Sequence, residues 1–192
     1  MGHSGSVLVV CTGNVCRSPY IERRLAKELE GTGIRVTSAG TRALVGRDMD
    51  RSTRALLEHA GTDVGGFAAR QLTSDLVAEA DLVVTAAREH RTAAAQLSPA
   101  ALRRVMTLRD LADLLEGADL NRFVPLDPEA SWVRQVVDAA SMRRGLVPAR
   151  QDAVDITDPI GGPRELFARM AAEVDAALPA VVGALRWRTG RD

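Results

Sequence analysis

Aromatic residues make up only 3% of the 192 residues, two Trp, one Tyr and three Phe. A stacking platform for single-stranded nucleic acid therefore has almost no material to work with. Charge of one sign is missing too: 25 Lys and Arg balance 25 Asp and Glu. No global positive field draws the chain to nucleic acid or an anionic membrane, so both drop out as expected partners and any anion site must be local. No apolar run approaches the ~20 residues of a membrane span, and Val7-Leu8-Val9-Val10 is too short and wrongly flanked for a signal peptide. A cytoplasmic address is the default expectation. Cys11 and Cys16 are the only cysteines, too few and too close together to staple the domain or to complete a four-ligand zinc site.

What is present is ordinary: 46% hydrophobic and 26% charged residues, enough for a proper core. The length fits one domain over residues 1–192, at ~100 to 200 residues per domain. Residues 1–6, with Gly2 and His3 among them, read as a cloning remnant or frayed start and are set aside. Val7-Leu8-Val9-Val10 is continuous and aliphatic, the pattern of a strand covered on both faces. Ser18-Pro19 reads as the N-cap and first residue of a helix carrying Ile21, Leu25 and Leu29. Further strands are expected at 34–37, 81–85 and 103–108, with helices at 51–60, at 74–80 and in the Ala-rich stretch between the last two strands. This alternation predicts an α/β fold, a doubly wound, four-stranded parallel sheet flanked by helices. Residues 114–148 break the rhythm and read as a helical insertion or lid, with Asp127-Pro128 capping a helix that Gly145 stops. Pro163 opens a last helix, which Pro179 is expected to kink or interrupt.

The chemistry concentrates in Cys11-Thr12-Gly13-Asn14-Val15-Cys16-Arg17-Ser18-Pro19, where the first strand ends and the first helix begins. A loop wrapping into a helix N-terminus aims successive N–H groups at one point, and the helix dipole adds partial positive charge there. A tetrahedral dianion fits such a cup without a metal, so residues 12–18 (Thr12, Gly13, Asn14, Val15, Cys16, Arg17, Ser18) are the expected phosphate-binding set. Arg17 offers a bidentate, permanently charged fork. Cys11 stands at the bottom, where the same donors favour thiolate over thiol and make a nucleophile. Ser18 is placed to point its hydroxyl at the sulfur and ease its departure later. The bland alternative for Cys11 is a small buried hydrophobe; it leaves the Arg six residues on without a purpose.

The string CTGNVCRSP resembles the active-site loop of the low-molecular-weight protein tyrosine phosphatases. The resemblance extends through Ser38-Ala39-Gly40-Thr41, Ala69-Arg70-Gln71-Leu72, Ala80-Asp81-Leu82-Val83-Val84 and Asp155-Ile156-Thr157-Asp158-Pro159. It implies a phosphomonoester hydrolase working through a cysteinyl-phosphate, with no metal or organic cofactor. Cys11, Arg17 and Asp158 would be catalytic, Asp158 as general acid with Asp155 the fallback, and Asn14 and Ser38 would support the loop. It also implies a phosphotyrosyl protein as substrate. Cys16 matches a position that forms a protective disulfide with the nucleophile in some members; simple inward packing is the equal alternative.

The chain also departs from the family. Arg42-Ala43-Leu44-Val45 and Ile160 stand where large aromatic walls are usual, so a small phosphoester stays open as substrate. Phe67 replaces a histidine that often supports the loop asparagine. Trp132 reads first as core, with a rebuilt wall as the alternative. Two other functions remain: an arsenate reductase of the same fold, for which no relay cysteine exists beyond Cys16, and a non-catalytic phosphate-binding module, which leaves Cys11, Arg17 and Asp158 unexplained. Oligomeric state is open.

Overall fold

The computed structural model describes residues 4–148, 150 and 154–186. Four parallel strands, β1 (Ser6–Cys11), β2 (Arg35–Gly40), β3 (Leu82–Thr85) and β4 (Val105–Thr107), lie in the order β2-β1-β3-β4. Alternation along β1 explains its unbroken apolar run, because Val7, Val9 and Cys11 join one buried cluster while Leu8 and Val10 join the other. Successive strand side chains point to opposite faces.

The helices are α1 (Arg17–Glu28), α2 (Arg51–His59), α3 (Ser74–Glu79), α4 (Arg88–Leu97), α5 (Leu108–Leu115), α6 (Trp132–Met142) and α7 (Arg164–Arg186). Apolar residues of α1, α5, α6 and α7 share the cluster of Val7 and Val9, while α3 and α4 contribute Val77 and Ala94 to the cluster of Leu8 and Val10. The sheet is thus covered on both faces. No helix among the described residues is long and apolar enough to cross a membrane.

Several expectations need correction. Ser6 already belongs to β1, and Ser4 O accepts from Val133 N, so residues 4–6 are part of the packed structure; residues 1–3, His3 among them, lie outside the described residues. The helix after the cup starts at Arg17, and Ser18 makes no capping bond because its hydroxyl is used elsewhere. The strand expected over 103–108 is shorter, preceded by a 3₁₀ turn (Pro99–Arg104) and followed at once by α5. Asp127 accepts from Glu129 N in a local turn, and the cap of α6 is Ser131, whose side chain accepts from Arg134 N.

The segment around α6 is no lid. Trp132, Val133, Val136, Val137 and Ala140 are buried in the main cluster, and Trp132 Nε1 donates to Ala184 O and Leu185 O. The first turn of α6 meets Ser4 and Gly5, beside the start of β1, whereas the cup lies at its far end. Trp132 is therefore core and walls no slot. The last helix runs through Pro179 as one element. Val174, Ala177, Leu178 and Val181 are buried on either side of the proline, and that packing offsets the lost backbone bond.

Candidate active site

The cup forms at the carboxyl end of β1, the central position where ligands bind in open α/β sheets. Cys11, Thr12, Gly13, Val15, Cys16 and Arg17 line a cavity of about 260 Å³ together with Arg42, Leu44, Asp158 and Ile160. Residues 141 positions apart thus meet, for Arg17 Nη2 donates to Asp158 Oδ2 at 2.6 Å. Arg17 is 4% exposed, and its Nε has no hydrogen-bond partner among the described residues. A buried, unpaired guanidinium N–H is costly unless an anion takes it.

Asn14 and Ser18 stand behind the loop and do not line the cavity. Asn14 is fully buried at φ 55, a left-handed conformation that asparagine tolerates better than most residues. Arg70 N donates to Asn14 Oδ1 at 2.9 Å, which fixes the amide so that Nδ2 donates both to Ser18 Oγ at 2.9 Å and to Ser38 Oγ at 2.7 Å. Ser18 Oγ, accepting from Asn14, lies 2.9 Å from Cys11 Sγ and keeps its own proton to donate whenever that sulfur is a thiolate. Ser38 in turn donates to Glu22 Oε2. Burial raises the Glu22 carboxyl above its ordinary range against the pull of Ser38, Arg23 and Arg70.

Glu22 and Arg70 are parts of this support that sequence reasoning did not assign. Glu22 lies one helical turn beyond Ser18 on the buried side of α1, a spacing that could have flagged it. Arg70 Nε holds Ser38 O at 2.6 Å, so a cation supports this network, while Phe67 lies under the Arg23 guanidinium at 5.9 Å. His90 was also missed. It is 1% exposed, and its Nε2 lies 2.8 Å from Thr12 Oγ1.

The two thiols differ. Both are free and buried, but burial, reinforced by Asp50, Cys11 and Asp158, pushes the Cys16 thiol up to about 12. Cys16 is therefore a protonated thiol at neutral pH, while Cys11 is the thiol that shares a hydrogen bond with the Ser18 hydroxyl. Asp155, the fallback acid, is engaged: its Oδ1 accepts from Arg88 N at the start of α4.

Comparison with known proteins decides the family. Residues 6–143 match the model of the low molecular weight phosphotyrosine protein phosphatases. The chain belongs to this family. Asp158 lies beyond the matched residues. Among relatives, the low molecular weight protein-tyrosine-phosphatase Etp of Escherichia coli is 38% identical over 94 residues, covering 49% of this chain and 62% of Etp. The match thus spans less than two thirds of that relative. The corresponding phosphatase Wzb of Salmonella typhi is 36% identical over 52% of this chain and 66% of its own. Vibrio vulnificus Wzb, solved in complex with benzylphosphonate, superposes with TM-score 0.66 at 27% identity, covering 93% of this chain and 97% of that one. The arginine phosphatase YwlE of Geobacillus stearothermophilus, at 22% identity, TM-score 0.69, and 96% and 95% coverage, shares the fold.

Proposed function

We propose that this protein hydrolyses phosphate monoesters through a cysteinyl-phosphate, as a protein-tyrosine phosphatase of one domain with α6 in its core. The observation that carries this reading is the convergence of Cys11, Arg17 and Asp158 on one cavity, with a buried Arg17 Nε left to receive an anion. Cys11 Sγ attacks phosphorus in line, the ester P–O bond breaks, and Asp158 gives a proton to the leaving oxygen. Water then attacks phosphorus, the Asp158 carboxylate takes its proton, and the S–P bond breaks. The Ser18 O–H, 2.9 Å from the sulfur, stabilises the departing thiolate. Arg17 and the loop N–H groups hold the phosphoryl oxygens in both steps.

The family description and the names of the relatives support a phosphotyrosyl protein as substrate. Leu44, Ile160 and Arg42 at the cavity favour a second reading, a smaller or aliphatic phosphoester, since no aromatic ring among the described residues lines it to supply the up to about 1.5 kcal/mol of an aromatic pair. The reading further places the enzyme in the cytoplasm, where free Cys11 and Cys16 stay reduced.

The test is hydrolysis of an aryl phosphate, a phosphotyrosyl peptide and an alkyl phosphate by wild type, Cys11→Ser and Asp158→Ala. Turnover by wild type that Cys11→Ser abolishes supports the phosphatase. A rate retained by Cys11→Ser rules it out. A higher kcat/KM on the alkyl ester than on the peptide selects the second substrate.

A further inference from the structure

We infer that His90 is a positioning residue of this site, which sets the direction of the Thr12 hydroxyl and through it braces the Arg17 guanidinium. The inference rests on the phosphatase reading for its chemistry and on the following contacts for its geometry. His90 is the third residue of α4, three positions past the bend at Ala86 and Ala87 that follows β3, and so stands at the carboxyl edge of the sheet beside the cup. Its Nε2 lies 2.8 Å from Thr12 Oγ1 and 3.2 Å from Glu89 Oε1. The ring hydrogen is assigned to Nε2 and given to Thr12, because the other tautomer would bury an Nδ1–H without a partner among the described residues. Nδ1 is then a bare lone pair, a less costly orphan than an N–H.

Thr12 Oγ1 consequently accepts twice, from His90 Nε2 and from Arg17 Nη2 at 3.3 Å. That leaves its own proton free for an oxygen in the cavity that Thr12 lines. The site gains a neutral donor for a phosphoryl or leaving oxygen, and Arg17 gains a rest on the Thr12 hydroxyl. Burial, aided by the nearby Arg17 charge and opposed by Glu89, Asp158 and Asp155, pushes the His90 imidazole down to about 4. It therefore brings no second cation against Arg17 at neutral pH. A histidine serving only as core filler has no need of a bond to an active-site side chain 78 positions away.

The experiment compares His90→Leu, His90→Gln, Thr12→Val and the Thr12→Val/His90→Leu double variant. Read-outs are kcat/KM for an aryl phosphate and inhibition by inorganic phosphate. We expect His90→Leu and Thr12→Val each to lose about tenfold in kcat/KM and to bind phosphate several-fold more weakly, the scale of one hydrogen bond to a charged network. The double variant should lose no more than either single one, because both cut the same chain. His90→Gln, whose amide N–H reaches the Nε2 position, should recover most of the loss. Losses that multiply, or a folded His90→Leu with wild-type kcat/KM and phosphate inhibition, overturn the role. Phosphate affinity of Cys11→Ser with and without His90→Leu needs no turnover. It decides the role of His90 even if wild type hydrolyses nothing, an outcome that would count against the phosphatase reading alone.

Discussion

Arg17 Nη2 sits 2.6 Å from Asp158 Oδ2, so the anchor for the phosphoryl group and the candidate acid are ion-paired with each other. On the phosphatase reading an arriving phosphoryl group would compete with Asp158 for the same guanidinium and free the carboxyl to take up a proton and face the leaving oxygen. Asp158→Asn should lower kcat about 10²- to 10³-fold, the usual worth of a positioned proton donor. The same substitution should tighten inhibition by inorganic phosphate, because Arg17 loses its competitor. Steady-state kinetics with phosphate as inhibitor checks both; weaker phosphate binding in Asp158→Asn would contradict the competition.

Ser18 Oγ lies 2.9 Å from Cys11 Sγ while accepting from Asn14 Nδ2, so its one proton remains for a thiolate at Cys11. That bond is worth most when sulfur leaves phosphorus as thiolate. Ser18→Ala should slow breakdown of the intermediate more than its formation, and kcat should fall about 10- to 100-fold. Rapid-quench kinetics should then show a burst of alcohol or phenol before slow turnover. Loss of the burst step itself would show that Ser18 mainly activates the attack.

Gly40 closes β2 directly behind the cup. A Cβ there would stand 2.5 Å from Thr12 O and 2.9 Å from Asn14 N, both backbone atoms that cannot swing aside. Gly40→Ala should destabilise the fold by about 1–3 kcal/mol, the typical cost of overpacking, and disrupt phosphate binding. Gly46→Ala, with no heavy atom near its Cβ position but a φ of 79, should cost stability while leaving phosphate affinity intact. Denaturant unfolding paired with phosphate titration separates the two; equal phosphate affinity in both variants would count against a rigid cup.

His90 also ties stability to pH. Its folded value of about 4 lies below the ordinary 6.5, so unfolding takes up a proton between those values. The contribution is complete above about pH 6.5 and is lost as pH falls toward 4, on the order of 3 kcal/mol. Glu22 is shifted in the opposite sense but is common to both proteins in a comparison with His90→Gln. The stability gap favouring wild type should shrink between pH 7.5 and pH 4.5 in urea titrations. A gap independent of pH would contradict burial of a neutral ring.

The strands, the cup and its floor were legible in the sequence because they are local. Val7-Leu8-Val9-Val10 declares a two-sided strand, and Cys11 to Ser18 carries its chemistry in one contiguous stretch. Long-range partners were not. Thr12 and His90 are 78 positions apart and Asn14 and Arg70 are 56, and nothing in either stretch names the other. Ser18 was legible as a polar residue at a helix start, but two uses compete for one hydroxyl and the bond to sulfur prevails. The helix α5 escaped notice because Thr107 ends β4 and caps α5 at once, its hydroxyl accepting from Asp110 N at 3.2 Å, with no turn residue between them. A single Trp132 on an apolar helix face cannot tell wall from core; only the carbonyls of Ala184 and Leu185 at the end of α7 decide it.

The most direct measurement is acid-quenched mass spectrometry of the enzyme caught during turnover of an aryl phosphate, with peptide mapping. One phosphoryl group on the peptide carrying Cys11, enriched in Ser18→Ala and absent from Cys11→Ala, is the predicted result. Wild-type turnover with no adduct on Cys11, or with the group on another residue, would contradict the mechanism.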